Sequence, residues 1–228
     1  MTSNPEPSEP SANPRSRTTP TRYAERVSGS NEPELHRLLD QSRIGHVGFV
    51  TESGQPVVLP IAIARDGAEV LMHGSTGSSW LRRISEGVPV SLAVTALDAL
   101  VVARSAFESS MRYRSAVLFG SCRPVPEPDK ARALNILTDA LIPGRVAEVR
   151  PVTAKELAAT LVLRLTVADY SIKISQRWPD DPPEDVRGTA WAGVLPAQTR
   201  YIAAWPAPDL VDGVELPASV QALLEPSD

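Results

Sequence analysis

The chain is poor in several residue types that define common protein classes. Cys122 is its only cysteine, which excludes an intrachain disulfide framework and a cysteine-based zinc cluster. The chain has three histidines, and they lack the spacing of metal ligands, so no metal site is indicated. No apolar run approaches the ~20 residues of a membrane-spanning helix, and the N-terminus lacks the apolar segment of a signal peptide. We therefore expect a soluble, cytoplasmic protein with no membrane partner.

Lysine is also scarce. Only Lys130, Lys155 and Lys173 are found among the 23 basic residues, and the formal net charge is -4. This net charge gives no excess of basic residues of the kind that indicates nucleic-acid binding. Arginine therefore carries most of the positive charge, and its planar side chain suits bidentate contacts with phosphate or carboxylate groups. We expect a small-molecule ligand and no nucleic-acid partner.

The 228 residues, of which 42% are hydrophobic, are enough for one domain with a full core. Residues 1–30 are rich in Pro, Ser, Thr, Asn and Glu, and such a segment buries too little surface to offset its ordering entropy. We interpret them as a disordered tail. Residues 31–208 form the predicted domain, and residues 209–228 form a C-terminal tail segment that ends in a short helical turn at 216–224.

Four stretches have helical signals. Residues 32–42 place three leucines on one face and follow Asn31, a plausible N-cap. Residues 153–160 begin with Thr153 and Glu156 at capping-box spacing. The other two predicted helices are a short one at about 80–87 and a longer one at 129–141.

The remaining apolar stretches are typical of strands joined by short turns. Residues 43–51, 57–64 and 69–73 are predicted as antiparallel neighbours. Residues 88–96 and 99–106 read as two strands with a turn at Leu97 and Asp98. Longer strands are predicted at 113–125 and 161–175. This pattern predicts an antiparallel barrel with peripheral helices and argues against a dinucleotide-binding parallel sheet.

The loop at 74–79, GSTGSS, lies between a predicted strand end and a helix start. Backbone N–H groups and hydroxyls in such a loop suit a phosphate, and Arg104, Arg112 and Arg114 further along could add charge. The loop lacks the lysine of a P-loop. A plain connector of small residues explains the same composition, so the pattern alone leaves both interpretations open.

Several motifs, in order, resemble the pyridoxamine 5'-phosphate oxidase-related, FMN-binding split-barrel family, in its flavin-nucleotide-binding and nitroimidazole-reductase-like branch. They are HVGFV, GQPVVLPIAIARDG, LMHGSTGSSWLRR, LVVARSAFESSMRYRSAVLFG, IPGR, AEVRPVT, KELAATLVL and WAGVLP, and they cover about residues 33–200. The resemblance implies a mainly β fold, a six-stranded antiparallel split β-barrel with Greek-key connections. It also implies bound FMN and a homodimer with sites at the interface.

The resemblance also implies which residues hold the flavin. The isoalloxazine ring would lie along one strand and the phosphate at the loop that follows the next strand, while a later arginine motif would line the site or its interface. Trp191 would cover the pocket from the partner subunit. The implied cofactor-binding residues are Pro60, Ile61, Ala62, His73, Gly74, Ser75, Thr76, Ser78, Ser79, Arg104, Ser105, Tyr113, Arg114, Ser115 and Trp191.

Two positions depart from the family pattern. Ser79 stands where related sequences carry Lys or Arg, and Glu108 stands where they carry His. Losing a charged partner to the phosphate would cost about 1.5–3 kcal/mol of binding.

The leading functional hypothesis is an FMN-dependent oxidoreductase of unassigned substrate, with no catalytic acid or base indicated. One alternative is a non-enzymatic carrier or sensor that binds a flavin or haem, or has lost its ligand. Another is a deazaflavin-dependent reductase on the same fold.

Overall fold

The computed structural model describes residues 27–28 and 31–225; the prediction of a disordered tail concerns residues that lie mostly outside this range. The strands are β1 (Val27–Ser28), β2 (Ile44–Val50), β3 (Pro56–Asp66), β4 (Glu69–Ser75), β5 (Pro89–Val102), β6 (Ser110–Ser121), β7 (Arg123–Pro124), β8 (Thr160–Thr166), β9 (Asp169–Ser175) and β10 (Gly193–Pro196). The helices are α1 (Glu32–Gln41), α2 (Ser79–Ser85), α3 (Glu127–Leu141), α4 (Ala154–Ala159), α5 (Pro183–Val186) and α6 (Ala218–Leu224), with a 3-10 turn at Arg145–Glu148.

The strands form one antiparallel sheet that curls into a barrel. Their order is β1-β9-β6-β5-β2-β3-β4-β8-β7, and β10 pairs with β5 outside this path. β7 pairs with β8 at one end of the order and follows β6 directly in the chain through Cys122. The continuous β6–β7 segment therefore links the two halves of the sheet and closes the barrel, as the predicted antiparallel topology requires.

The core has two parts because the sheet is covered on both faces. The barrel interior is filled by fully buried side chains such as Leu92 and Leu118, and Leu38 of α1 joins them. A smaller cluster forms where Leu137 of α3 packs against Leu71 on the outer face of β4. No helix in residues 31–225 is long and apolar enough to cross a membrane.

The predicted helix caps are confirmed. The Asn31 side chain accepts a hydrogen bond from the backbone N–H of Glu34 at the start of α1. Thr153 and Glu156 form a full capping box at α4, with the Thr153 side chain and the Glu156 side chain each accepting from the other residue's backbone. Local side-chain chemistry thus sets these helix starts, as the sequence indicates.

The predicted turn at Leu97 and Asp98 is wrong. β5 runs without reversal from Pro89 to Val102, and its register with β6 shifts by one residue between Leu97 and Ala99. Asp98 is the extra residue of a β-bulge, which bends a strand without ending it. The bulge allows one strand to pair with β2 before the bend and with β10 after it.

The prediction of a single strand at 161–175 is also wrong. It consists of β8, which pairs with β4, and β9, which pairs with β6. Between them the N–H of Val167 donates to the carbonyl of Ala68 in the β3–β4 turn, at 2.8 Å. The chain crosses from one half of the barrel to the other at this corner, a change that the continuous apolar pattern does not show.

Candidate cofactor site

The outer face of β2, β3 and β5 carries the predicted flavin strand. Side chains alternate along β3, so Pro60 and Ala62 lie on the outer face while Ile61 is buried in the core. Pro60 pairs with His46 of β2, which in turn pairs with Ala93 of β5. The side chains along this row are small or flat, which suits contact with a planar ring.

This outer face has no formal charge. Residues 44–50, 56–64 and 89–97 contain no Asp, Glu, Lys or Arg. Ile44 is 57% exposed and Val58 is 66% exposed. A solvated face of an antiparallel sheet usually alternates apolar inward residues with polar outward ones. An uncharged, apolar outer face is therefore unusual for a sheet face in contact with water.

The hydroxyl stretch at 74–79 runs from the end of β4 to the start of α2, as predicted, but most of its N–H groups are already bonded. The N–H of Thr76 donates to the carbonyl of Ala159 at 3.0 Å. The N–H of Gly77 donates to Oγ of Ser75, and that of Ser78 donates to the Ser75 carbonyl. A phosphate at this loop would have to rely on its exposed hydroxyls and on Ser79, or displace these bonds.

The arginines of the predicted motif are ion-paired within the chain. Arg104 donates through its backbone N–H and its side chain to Asp181, whose side chain is 1% exposed. Arg114 forms a bidentate pair with Asp98 at 2.8–3.0 Å and also donates to Gln41. The hydrogen bonds that Arg114 donates to Asp98 raise the pKa of the Arg114 guanidinium. Both guanidinium groups are therefore held in fixed positions.

Arg114 faces a cavity at the barrel mouth, on the opposite side of β6 from Tyr113 and Ser115. The cavity has a volume of about 1040 Å³ and is lined by α1, the β5 bulge, β6, the end of β9 and β10. Arg112 crosses it, donating to the carbonyl of Arg177 and lying 4.8 Å from the ring of Trp178. The run of predicted residues from Arg112 to Ser115 is thus divided between two faces of the strand.

Ser105 and Trp191 have local roles in the structure. Ser105 accepts a hydrogen bond from the N–H of Glu108, and Ser109 donates to the Ser105 carbonyl, so these residues shape the β5–β6 connection. Trp191 is 65% exposed and its ring covers Gly193, where a Cβ atom would come within 2.8 Å of the ring. The exposed ring remains available to a partner, as the resemblance implies.

His73 lies in a second cavity, outside the barrel. This cavity has a volume of about 540 Å³ and is bounded by β4, α3, α4 and the segment at 146–152. Nδ1 of His73 is buried without a hydrogen-bond partner. Burial lowers the pKa of His73, so its imidazole is neutral at physiological pH. A neutral, unpartnered imidazole on a cavity wall is a candidate ligand for a bound group.

The walls of the His73 cavity are mainly apolar, with charge at one edge. Leu134, Val146, Val149 and Val152 are among the apolar lining residues. At the edge, Arg150 donates to both carboxylate oxygens of Glu156, and these bonds, together with those from Thr153, lower the pKa of Glu156. Apolar walls beside an ion pair suit a large, mostly apolar ligand, and an acidic substituent on it would compete with Glu156 for Arg150.

His73 is close to the outer face. It lies one residue beyond Met72, the last residue of β4 that pairs with β3, and Ala62 lies one residue beyond the partner Ile63. His73 is on the same side of β4 as Leu71, which contacts α3. The cavity and the outer face of β3 therefore adjoin, so that two ligands bound there would be neighbours.

Sequence reasoning missed the cavity and the acidic partners of the arginines. The wall of the cavity comes from 134–160, where the sequence shows only an amphipathic helix and a proline-containing connection. Asp181 lies 77 residues from Arg104. The local pattern gives no signal for either. The Thr153–Glu156 capping box could have indicated an ordered wall, but not a cavity.

Comparison with known proteins decides the family. Residues 31–174 match the pyridoxamine 5'-phosphate oxidase family. The chain belongs to this family. It has the family's split-barrel fold, as the resemblance implied, although the part of the sheet described here has ten strands and not six. No curated protein matches the chain.

Two solved structures are highly similar to this chain over most of its length. The FAD and haem binding protein from Mycobacterium smegmatis is 49% identical, with a TM-score of 0.83 over 87% of this chain and 97% of that one. The flavocytochrome Anf3 from Azotobacter vinelandii is 33% identical, with a TM-score of 0.83 over 92% and 97%. A nitroimidazole antibiotic resistance protein from Bacteroides thetaiotaomicron, described as putative, shares the fold at 16% identity and a TM-score of 0.54, over 75% and 90%.

Proposed function

We propose that this family member is a cytoplasmic redox protein that binds a flavin and a haem and acts as a homodimer. The observation that carries the haem assignment is the neutral, unpartnered imidazole of His73 on the wall of an apolar cavity. The solved structures with 49% and 33% identity, described as a FAD and haem binding protein and as a flavocytochrome, support the same combination.

The residues around His73 fit a haem. One imidazole from the protein is enough to hold a haem iron, and His73 would supply it. Val146, Val149 and Val152 would contact the apolar ring, and Arg150 at the edge could pair with an acidic substituent only by giving up part of its bidentate pair with Glu156.

The outer face fits a flavin ring. Pro60 and Ala62 offer a flat, uncharged strand, and this face lies beside the His73 cavity. One chain leaves it open to water. A second copy packed on the same face would enclose the ring, and this is the support for a homodimer with sites at its interface. The family resemblance indicates FMN, whereas the 49% identical structure favours FAD.

A bound flavin and haem would supply hydride and electron transfer, chemistry that belongs to the cofactors. The chain would contribute binding, orientation and exclusion of water. His73 would remain neutral because burial disfavours its protonated form. Arg104 and Arg114 are held and neutralised by Asp181 and Asp98, so they would fix the shape of the strand ends near the site and add no net charge to it.

The haem assignment is tested by a visible absorption spectrum of the purified protein before and after adding haem and removing the excess. The expected result is a haem band that is lost in His73→Ala and kept in His36→Ala and His46→Ala, which replace the other histidines of the chain. Free imidazole should partly restore the band in His73→Ala. A band that survives in His73→Ala, or one that is lost in His46→Ala, would show that the assignment is wrong.

The flavin assignment is tested by releasing the cofactor with heat and separating FAD from FMN by chromatography. FAD is the expected cofactor, and FMN would correct the proposal toward the family resemblance. A protein that retains neither after reconstitution would refute flavin binding. Turnover of an electron acceptor with a nicotinamide donor would identify an oxidoreductase, and binding without turnover would identify a carrier.

A further inference from the structure

The segment that follows β10 is held to the chain at both ends. We call residues 197–216 the C-terminal arm. At its start, the N–H of Ala197 donates to the carbonyl of Asp98 at 2.9 Å. Beyond its end, Ser219 of α6 is buried and its N–H donates to the Glu148 carboxylate at 2.9 Å. The arm is therefore a fixed feature of the molecule and not a loose tail.

Between these anchors the arm exposes large apolar side chains. Trp205 is 83% exposed, Ile202 is 77% exposed and Val211 is 74% exposed. Tyr201, Leu210 and Val214 are between 46% and 56% exposed. The arm contains no helix or strand of its own. These side chains contribute no hydrophobic stabilisation while they remain in water. Contiguous apolar exposure of this kind marks an interaction surface.

The exposed area is sufficient for a specific interface. Since an aromatic side chain buries 150–250 Å², the six side chains together present on the order of 700 Å². This is close to the ~800 Å² that each partner of a standard protein interface buries. The arm alone therefore offers nearly the area of a stable contact.

The middle of the arm matches the outer face of the barrel in its chemistry. Residues 201–208, YIAAWPAP, contain no charged side chain, and neither do the outer-face segments at 44–50, 56–64 and 89–97. The arm of one chain does not cover its own outer face, since Ile44 and Val58 remain more than half exposed. Two uncharged, unpartnered surfaces are thus present on the same molecule.

We propose that the C-terminal arm of each copy packs on the outer face of β2, β3 and β5 of a second copy, with residues 201–208 at the centre of the contact. A two-fold axis makes this exchange reciprocal, so one association buries both surfaces of both chains. A different partner protein would have to cover both surfaces at once. Docking of the arm beside the row that contains Pro60 and Ala62 would give the proposed flavin site a wall from the second copy. The dimer contact itself needs no bound cofactor.

The test is a disulfide between the arm of one copy and the outer face of another. Cys122 is 0% exposed, so the wild-type chain has no competing surface thiol. Two full-length variants, Trp205→Cys with an affinity tag and Val58→Cys without one, are mixed and oxidised. The matched control replaces Val58→Cys by Arg123→Cys, an exposed position on β7 at the far end of the strand order.

We expect a tagged–untagged covalent pair with Val58→Cys and none with Arg123→Cys. Equal cross-linking with the two variants, or none with Val58→Cys, would overturn the proposal. So would a double variant, Trp205→Cys with Val58→Cys, that closes its disulfide within one chain. Independently, Trp205→Ala should raise the dimer dissociation constant at least tenfold by sedimentation. An unchanged constant, or a wild-type chain that is monomeric, would refute the exchange whether or not flavin is bound.

Discussion

The bulge residue Asp98 should contribute more to stability than its place on a strand suggests. Its carboxylate accepts from Nε and Nη2 of Arg114, and the two side chains are 34% and 20% exposed. A second bidentate pair, Asp66 with Arg132, has similar distances of 2.8 and 2.9 Å, but its arginine is 64% exposed. Both pairs are bidentate at similar distances, although Arg114 donates through Nε and Nη2 and Arg132 through its two Nη atoms, and they differ clearly in burial. They therefore form a useful comparison.

The size of the coupling free energy in each pair depends on how exposed its two side chains are. A hydrogen bond to a charged group contributes about 1.5–3 kcal/mol, whereas exposed ion pairs contribute ~0–1 kcal/mol because solvent screens them. The Asp98–Arg114 pair is one-fifth to one-third exposed, so its coupling should be discounted to about 1.5–2.5 kcal/mol. The coupling at the exposed pair should be much smaller.

A double-mutant cycle measures both couplings. The variants Asp98→Ala, Arg114→Ala and their combination are unfolded in urea at one fixed protein concentration, followed by tryptophan fluorescence and circular dichroism. The same cycle is made for Asp66 and Arg132. Equal couplings at the two sites, or none at Asp98, would refute the argument from burial. A change in the urea slope would point instead to an altered unfolded state.

The remaining predictions concern local features. Thr153→Ala should cost about 1 kcal/mol because it removes the capping-box acceptor, whereas exposed Lys155→Ala in the same helix should cost much less; equal losses would contradict the cap. Burial lowers the pKa of His73, so below about pH 6.5 the unfolded chain binds more protons and stability falls. His73→Gln should flatten this dependence in cofactor-free protein, and an unchanged slope would refute it. Burial raises the pKa of Cys122 to about 12, so a thiol reagent should label it only as fast as the protein opens, and rapid labelling would contradict its burial.

The sequence predicted the local elements well because their causes are local. Asn31 and the Thr153–Glu156 box act within one helical turn, and both were confirmed. Short turns between apolar runs predicted the antiparallel hairpins of β2, β3 and β4. A short turn can join only antiparallel strands, because a parallel pair needs a long crossover connection. The ordered motifs were enough to identify the family and hence the barrel.

Both wrong predictions concern an apolar stretch that pairs with different strands along its length. The stretch containing Asp98 resembles a turn because its residues break the apolar pattern, yet Asp98 is a bulge held by Arg114 of β6. The stretch at 161–175 resembles one strand because both halves are apolar, yet a bond from Val167 to Ala68 marks a corner between them. In both cases the deciding partner lies on another strand.

The sequence by itself determined the helices, the hairpins and membership of the family, because these depend on neighbouring residues and on motif order. Only the tertiary structure decided which side chains are free to bind. It paired Arg104 with Asp181, 77 residues away, and left the imidazole of His73 unpartnered beside α3. It also fixed the C-terminal arm through Ser219 and Glu148, 71 residues apart. Contacts between distant segments form only when the barrel closes, so no local pattern could specify them.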